Sequence, residues 1–258
     1  MSLILFKIIA SSAVFCISLG AFFIAKRFQI IPWHMKLAES FTCGVFLSAA
    51  LFHMLPDAAL GFHALQPIIS IKPYFIAIIL SLLGFLLFAS IERWAIIHHQ
   101  RRHTTEPHTT CSYLLTFMLS SHSIIAGAAL GSNLNFESAF IIFIAIILHK
   151  GLASFALATS LLRHISHKVQ RNTLFLLFAL MTPAGIIIAS TINEILQTHA
   201  GQFIASTLNA FTAGSFLYLG TLHATAKQIY TRQDTFYWLY IATLILGIMP
   251  MAALSLFV

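Results

Sequence analysis

Histidine and aspartate side chains lie in stretches of this sequence that are otherwise apolar. His53 and Asp57 are four residues apart, so an α-helix places an imidazole nitrogen and a carboxylate oxygen on one face, one turn apart. His122 and His149 lie in two further apolar stretches. Imidazole is a good ligand for Zn, Fe, Cu and Ni, whereas Mg and Ca prefer oxygen ligands. These residue types predict a transition-metal site, and a polar pair that only holds helices together is the alternative for His53 and Asp57.

The segments that begin at His122 and His149 are similar to each other. Over ten residues they share four identities, and small residues are paired at two further positions. The two segments belong to consecutive apolar stretches, which would cross a membrane in opposite directions. An inverted pair with a polar group near the middle of the membrane is typical of secondary transporters. Chance similarity between two helices rich in alanine and leucine is the alternative.

Lys150 and Pro56 add two features beside these residues. Lys150 follows His149 directly, so the two side chains project about 100° apart on a helix. The lysine could replace a second metal ion, pair with Asp57 or extend to the membrane surface. Pro56 lacks a backbone N–H, so the carbonyl of Phe52 loses its helical donor and becomes a further candidate oxygen ligand.

The elements that must position these side chains are predicted to be membrane-spanning helices. Hydrophobic residues make up 59% of the 258 residues and charged residues only 8%, which excludes an ordinary globular core. Continuous apolar runs of about 20 residues favour helices over a β-barrel. The predicted fold is an all-α integral membrane protein, one domain over residues 1–258. Its eight spans are predicted near 3–25, 37–61, 74–97, 110–133, 136–162, 172–196, 201–225 and 235–257.

The formal net charge of +7 reflects how the basic residues are distributed across the membrane and does not indicate a nucleic-acid partner. Eleven of the fourteen lysines and arginines follow odd-numbered spans, which predicts that those connections are cytoplasmic and that both termini are extracytoplasmic. The expected partners are a lipid bilayer and a divalent metal ion, and a homodimer is left open. The short connections favour a multi-pass protein of a cytoplasmic (plasma) membrane. The eleven residues are Lys26, Arg27, Lys36, Arg93, Arg101, Arg102, Arg163, Lys168, Arg171, Lys227 and Arg232.

A histidine-containing cytoplasmic loop is predicted at about 98–109. Its histidines could capture a metal ion loosely, or could be plain basic residues beside a membrane. They are His98, His99, His103 and His108.

Taken together, these segments resemble the Zrt/Irt-like (ZIP) family of metal transporters over most of the chain. Residues 52–58 are similar to the family's His-x-x-Pro-Asp/Glu element in helix 2. Further resemblance lies in His122 and Ser123 with Gly127 and Gly131 (helix 4), His149 and Lys150 (helix 5), Thr182 and Pro183 (helix 6), and Ala213 and Gly214 (helix 7).

The resemblance implies a 3+2+3 arrangement of helices with inverted symmetry and transport of metal toward the cytoplasm. Zn²⁺ is the expected substrate, with Fe²⁺ or Mn²⁺ as alternatives, and neither a cofactor nor an enzymatic activity is expected. The implied ligands are His53, Asp57, His122 and His149, with Ser123 in second rank. The implied second-site or pathway residues are Lys150, Thr182 and His223.

The chain also departs from the family. Ala126 and Ala153 occupy positions that are often glutamate, and His223 stands at a position that is usually acidic. Three other functions remain open at this point: an intramembrane zinc-dependent hydrolase, a haem-binding electron carrier, and a family relative that senses metal without transporting it.

Overall fold

Helices account for the regular structure of the chain. The computed structural model describes residues 2–28, 32–65, 71–101, 107–191, 198–221 and 237–255, and no strand occurs within those ranges. A π-helical segment, Ala50–Met54, joins α2 to α3, so these elements form one continuous helix through the second predicted span. The helices are α1 (Leu3–Phe28), α2 (Pro32–Ala49), α3 (Leu55–His63), α4 (Pro73–Arg101), α5 (Pro107–Ser132), α6 (Phe136–His164), α7 (Lys168–Thr191), α8 (His199–Thr221) and α9 (Tyr237–Leu254).

Within the part of the chain that the structure describes, six helical stretches are long and apolar enough, by length and composition, to cross a membrane. They lie in α1, the continuous α2–α3 helix, α4, α5, α6 and α7, and α9 supplies a shorter apolar helix at Tyr237–Ala253. α8 is not among them, because serine, threonine and asparagine side chains lower its hydropathy. The chain is therefore a multi-pass helical membrane protein, and six of the eight expected spans are found as candidates among the described residues.

The connection between α4 and α5 is shorter than the predicted loop at about 98–109. α4 extends to Arg101 and α5 begins at Pro107. Proline is favoured at the first helical position, since its missing N–H would have no helical partner there. Polar residues at both ends of the predicted loop therefore continue α4 and α5.

The polarity of the bundle is distributed as expected for a protein in lipid. Leu60, Phe117 and Ile187 point outward and are largely exposed. Polar side chains such as Ser18 and Ser48 lie inside, are almost fully buried and donate to backbone carbonyls. Lipid solvates apolar surface, whereas polar groups need partners within the protein. The distribution therefore supports a lipid-facing exterior.

Glycines allow two helix pairs to approach closely. Gly127 of α5 packs against the backbone of α7, and Gly185 of α7 packs against the carbonyl of Ile124 in α5. Gly214 of α8 packs likewise against the carbonyl of Ser81 in α4. A Cβ atom at any of these glycines would overlap the facing backbone, as in small-residue contacts between membrane helices.

The most extensive helix contacts form four pairs: α1 with α6, α5 with α7, α4 with α8, and α2 with α9. These pairs are converted into one another if α1 is exchanged with α7, α2 with α8, α4 with α9 and α5 with α6. The α1–α6 pair then becomes the α5–α7 pair, and the α2–α9 pair becomes the α4–α8 pair. The packing thus repeats within the chain.

Two polar contacts tie the ends of helices together. Lys7 Nζ of α1 donates to the carbonyl of Gly131, 2.5 Å away, near the end of α5. A cation there is stabilised by the partial negative charge of the helix C-terminus. At the end of α6, Arg163 forms an ion pair with Glu39 of α2. α1 is thereby fixed to α5 and α2 to α6.

A Gly214→Ala substitution tests the close contact of α4 and α8. The added Cβ would overlap the Ser81 carbonyl, and overpacking costs about 1–3 kcal/mol. Gly20→Ala is the matched control, because nothing lies within 4 Å of a Cβ at Gly20. We expect the thermal unfolding midpoint of detergent-purified protein to fall for Gly214→Ala only. Equal midpoints for the two variants would contradict this packing.

Candidate metal centre

Three imidazoles converge between the π-helical segment, α5 and α6. One ligand atom each of His53, His122 and His149 lies within 4.8 Å of the other two. The ring centroids of His53 and His149 are 4.8 Å apart, and the His122 centroid is 5.7 Å from each of them. The structure therefore brings together the three histidines that the sequence singles out, from residues far apart in the chain.

The π-helical segment positions His53. The backbone N–H of Leu55 donates to the carbonyl of Ala50, five residues earlier, immediately before Pro56. Such segments are frequent at functional sites, because one wider turn changes the direction of the side chains. The sequence predicts a break in helical hydrogen bonding at Pro56, but it does not predict that the break takes the π-helical form.

Each of the three imidazoles has an oxygen atom near Nδ1. His53 Nδ1 is 3.2 Å from Asp57 Oδ2. His122 Nδ1 is 3.4 Å from Asn209 Oδ1 of α8. His149 Nδ1 is 2.7 Å from the carbonyl oxygen of Ala145. A neutral imidazole that donates from Nδ1 keeps a lone pair at Nε2, so these contacts are compatible with metal binding by all three rings.

Asn209 is the member of this group that sequence reasoning missed. It sits in α8 among apolar neighbours such as Leu208 and Phe211. An amide within a membrane helix needs a polar partner inside the protein. The amide of Asn209, in a helix whose nearby polar residues are otherwise serine and threonine, is the signal that could have identified it.

Lys150 is fully enclosed beside the three histidines. Its side chain is only 2% exposed, and Nζ donates to Ser123 Oγ at 2.8 Å. Nζ also lies 3.7 Å from the centroid of the Phe178 ring, which favours a cation on its face. The alternative in which Lys150 extends to the membrane surface is contradicted by this burial. The Ser123 hydroxyl, expected as a ligand of second rank, is occupied by the lysine.

The remaining predicted residues fall into two groups. Thr182 is buried in α7, and its hydroxyl has no hydrogen-bond partner among the described residues. The other predictions concern side chains that the structure does not describe. His103 and His223 lie outside the described residues. His98 and His99 lie in α4 and His108 lies in α5, at positions where only the backbone is described.

A cavity of about 190 Å³ opens beside the imidazoles. Besides the histidines, its polar wall is formed by Asp57 and Asn209. Its apolar wall follows α5 and α6 in the direction of the connection between them. Ala126 belongs to this wall, at a position where a glutamate would add a carboxylate. The apolar residues are Ile125, Ala126, Ala129, Ile141, Ile142, Ala145 and Ile146.

Buried side chains lie in the opposite direction, toward the end at which Glu39 and Arg163 pair. Leu115 and Leu119 of α5 and Phe216 of α8 are each almost completely buried. A separate, smaller cavity of about 40 Å³ lies at that end, and Leu115 contributes to its lining together with Glu39 and Arg163. The lining of the cavity beside the imidazoles runs instead toward the α5–α6 connection.

The chain matches the profile of the family described as ZIP Zinc transporter over residues 96–255, more than half of its length. It is 29% identical to Zinc transporter ZIP1 of Takifugu rubripes over 86% of this chain and 84% of that protein. It is 26% identical to Zinc transporter ZIP1 of Mus musculus over 78% of this chain and 72% of that protein. Protein zntD of Dictyostelium discoideum is 31% identical over 51% of this chain and 21% of its own length.

The matched region contains α5 to α9, and with them two of the three clustered histidines and Asn209. The match to the Takifugu rubripes protein extends over most of the remaining chain. By this similarity and by its helical membrane fold, the chain belongs to the ZIP zinc transporter family, whose members are transporters and not enzymes.

Proposed function

We propose that this protein carries Zn²⁺ across the membrane through a site formed by His53, His122 and His149. The observation that carries the proposal is the convergence of three imidazoles from three helices beside a cavity. Nitrogen ligands suit zinc and disfavour Mg²⁺ and Ca²⁺. Fe²⁺ and Mn²⁺ are weaker competitors, because a neutral nitrogen-rich site offers them few oxygen ligands.

The composition of the site suits exchange of the ion more than storage. Asp57 supplies one carboxylate, whereas Ala126 and Ala153 supply none at positions that are often glutamate in the family. Lys150 places a cationic group nearby, which disfavours a second divalent ion. Three imidazoles with little compensating negative charge bind one ion with moderate affinity, so the ion can leave again.

The proposed transporter has eight spans in a 3+2+3 arrangement, with α8 and α9 completing the bundle. The interchange of the four helix pairs supports an inverted repeat. Basic residues after the odd-numbered spans support extracytoplasmic termini. The cavity then faces the outside, and metal moves toward the cytoplasm.

We further propose a cytoplasmic (plasma) membrane location, in line with the short connections. All three imidazoles come from one chain, so the site itself does not require a homodimer. A relative that senses metal without transporting it would bind zinc with the same residues, and only the absence of flux would distinguish it.

Replacement of the histidines tests the transport site. His122→Ala and His149→Ala should each lower zinc uptake into proteoliposomes loaded with a zinc-sensitive dye at least about 100-fold, because loss of an outer-shell partner alone costs about 10- to 100-fold. His63→Ala is the control, since His63 is exposed near the end of α3. Wild-type uptake rates in both site variants would rule the site out.

Cysteine accessibility tests the topology and the cavity together. In a chain whose native cysteines are replaced, Ala129→Cys should react with a membrane-impermeant thiol reagent added outside, and Zn²⁺ should slow the reaction. Phe117→Cys, on the same helix but facing lipid, should not react. Reaction of Ala129→Cys only from the cytoplasmic side would reverse the proposed orientation.

A further inference from the structure

We infer that Asn209 and Asp57 are positioning residues, which hold His122 and His53 by Nδ1 so that the metal binds Nε2 of each imidazole. The inference rests on the proposed function of this site and specifies how its ligand shell is built. It assigns the metal three nitrogen ligands and a fourth coordination position open to the cavity. It also assigns Asp57 a role as a partner of His53 in place of the direct ligand that the sequence predicts.

The same relation occurs at all three imidazoles with three different oxygen acceptors. Nδ1 faces the Asp57 carboxylate in His53, the Asn209 amide in His122 and the Ala145 backbone carbonyl in His149. Ala145 precedes His149 by one helical turn, so α6 itself supplies that acceptor. The other two acceptors are side chains and can be changed by mutation. A proton shared with each oxygen fixes the tautomer whose lone pair lies on Nε2.

His122 provides a second, independent observation. Its Nε2 atom is buried and has no hydrogen-bond partner among the described residues. A buried polar atom without a partner is unfavourable, and apolar surroundings cannot compensate it. A ligand at Nε2 would satisfy this atom, and the other two imidazoles line the same cavity.

The surroundings of Asp57 support its positioning role. The cluster of mutually close ligand atoms contains the three histidines and not Asp57. The Asp57 side chain is 38% exposed, so its second oxygen can be solvated in the cavity while the first contacts His53. A carboxylate that contacts an imidazole in this way orients the ring and makes it a better metal ligand.

The amide of Asn209 contributes no charge to the site. Its oxygen can accept a hydrogen bond from the Nδ1–H group of His122, but it does not offset the charge of the metal as a carboxylate would. The single carboxylate at Asp57 and the cation at Lys150 are then the charged side chains next to the imidazoles. An amide at position 209 therefore favours moderate affinity for the metal and release of the ion.

Variants of Asn209 separate this role from simple packing. Asn209→Leu keeps the volume but removes the acceptor, whereas Asn209→Asp keeps the acceptor. We expect Asn209→Leu to raise KM for zinc uptake about 10- to 100-fold, whereas Asn209→Asp should keep KM at or below the wild-type value, because a carboxylate keeps the acceptor and also offsets the charge of the metal. Thr212→Val is the matched control, because the Thr212 hydroxyl donates only to the Leu208 carbonyl of its own helix.

Asp57 variants distinguish a positioning residue from a ligand. Asp57→Asn keeps an oxygen for His53 but removes the charge, and Asp57→Ala removes both. The ligand shell is measured with Co²⁺ added to purified protein, since four-coordinate Co²⁺ absorbs visible light much more strongly than six-coordinate Co²⁺. We expect a strong four-coordinate spectrum for wild type, Asp57→Asn and Asn209→Asp, and a weakened one for Asp57→Ala and Asn209→Leu.

Folding is checked for each variant by size-exclusion chromatography and thermal unfolding. A wild-type KM and spectrum in Asn209→Leu would overturn the role of Asn209. A weak spectrum in Asp57→Asn, in folded protein, would make Asp57 a direct ligand. A strong wild-type Co²⁺ spectrum without zinc flux would refute the proposed transport but support the ligand shell, so the two proposals fail separately.

Discussion

A buried imidazole in a membrane protein needs partners for both ring nitrogens, because the surrounding lipid offers no hydrogen-bonding groups. At His53, His122 and His149 one nitrogen of each ring faces an oxygen of the protein, and this fixes where the second nitrogen is available. At His122 the second nitrogen has no partner among the described residues. The site is therefore organised around a ligand that the protein does not itself provide.

This arrangement requires helices that cross closely and stay in register. Glycines at the α5–α7 and α4–α8 contacts remove the side chains that would hold the backbones apart. α5 and α8 thereby carry His122 and Asn209 to within 3.4 Å of each other. Lys7 and Arg163 fasten the helix ends without placing charge beside the imidazoles. Close packing thus supplies the precision that three ligands from three helices demand.

Much of this organisation can be read from the sequence, since apolar length and charge placement are local properties. The fifth span, predicted at 136–162, is found at Phe136–His164, and the clustering of the three histidines agrees with the prediction of a metal site. The contact of Asn209 with His122 depends on how α8 packs against α5, and no local sequence pattern specifies that packing. The π-helical segment is missed because Pro56 predicts a lost helical hydrogen bond but not how the preceding turn rearranges. The pairing of Ser123 with Lys150 likewise depends on two helices meeting, so residue type alone could not assign it.

The central claim is that the transported ion is held by three imidazoles, and X-ray absorption at the zinc edge tests it most directly. The sample is wild-type protein in nanodiscs with one equivalent of Zn²⁺. Our account predicts three imidazole nitrogens at about 2.0–2.1 Å and one further light ligand. A spectrum dominated by oxygen ligands, with no more than one imidazole, would contradict it.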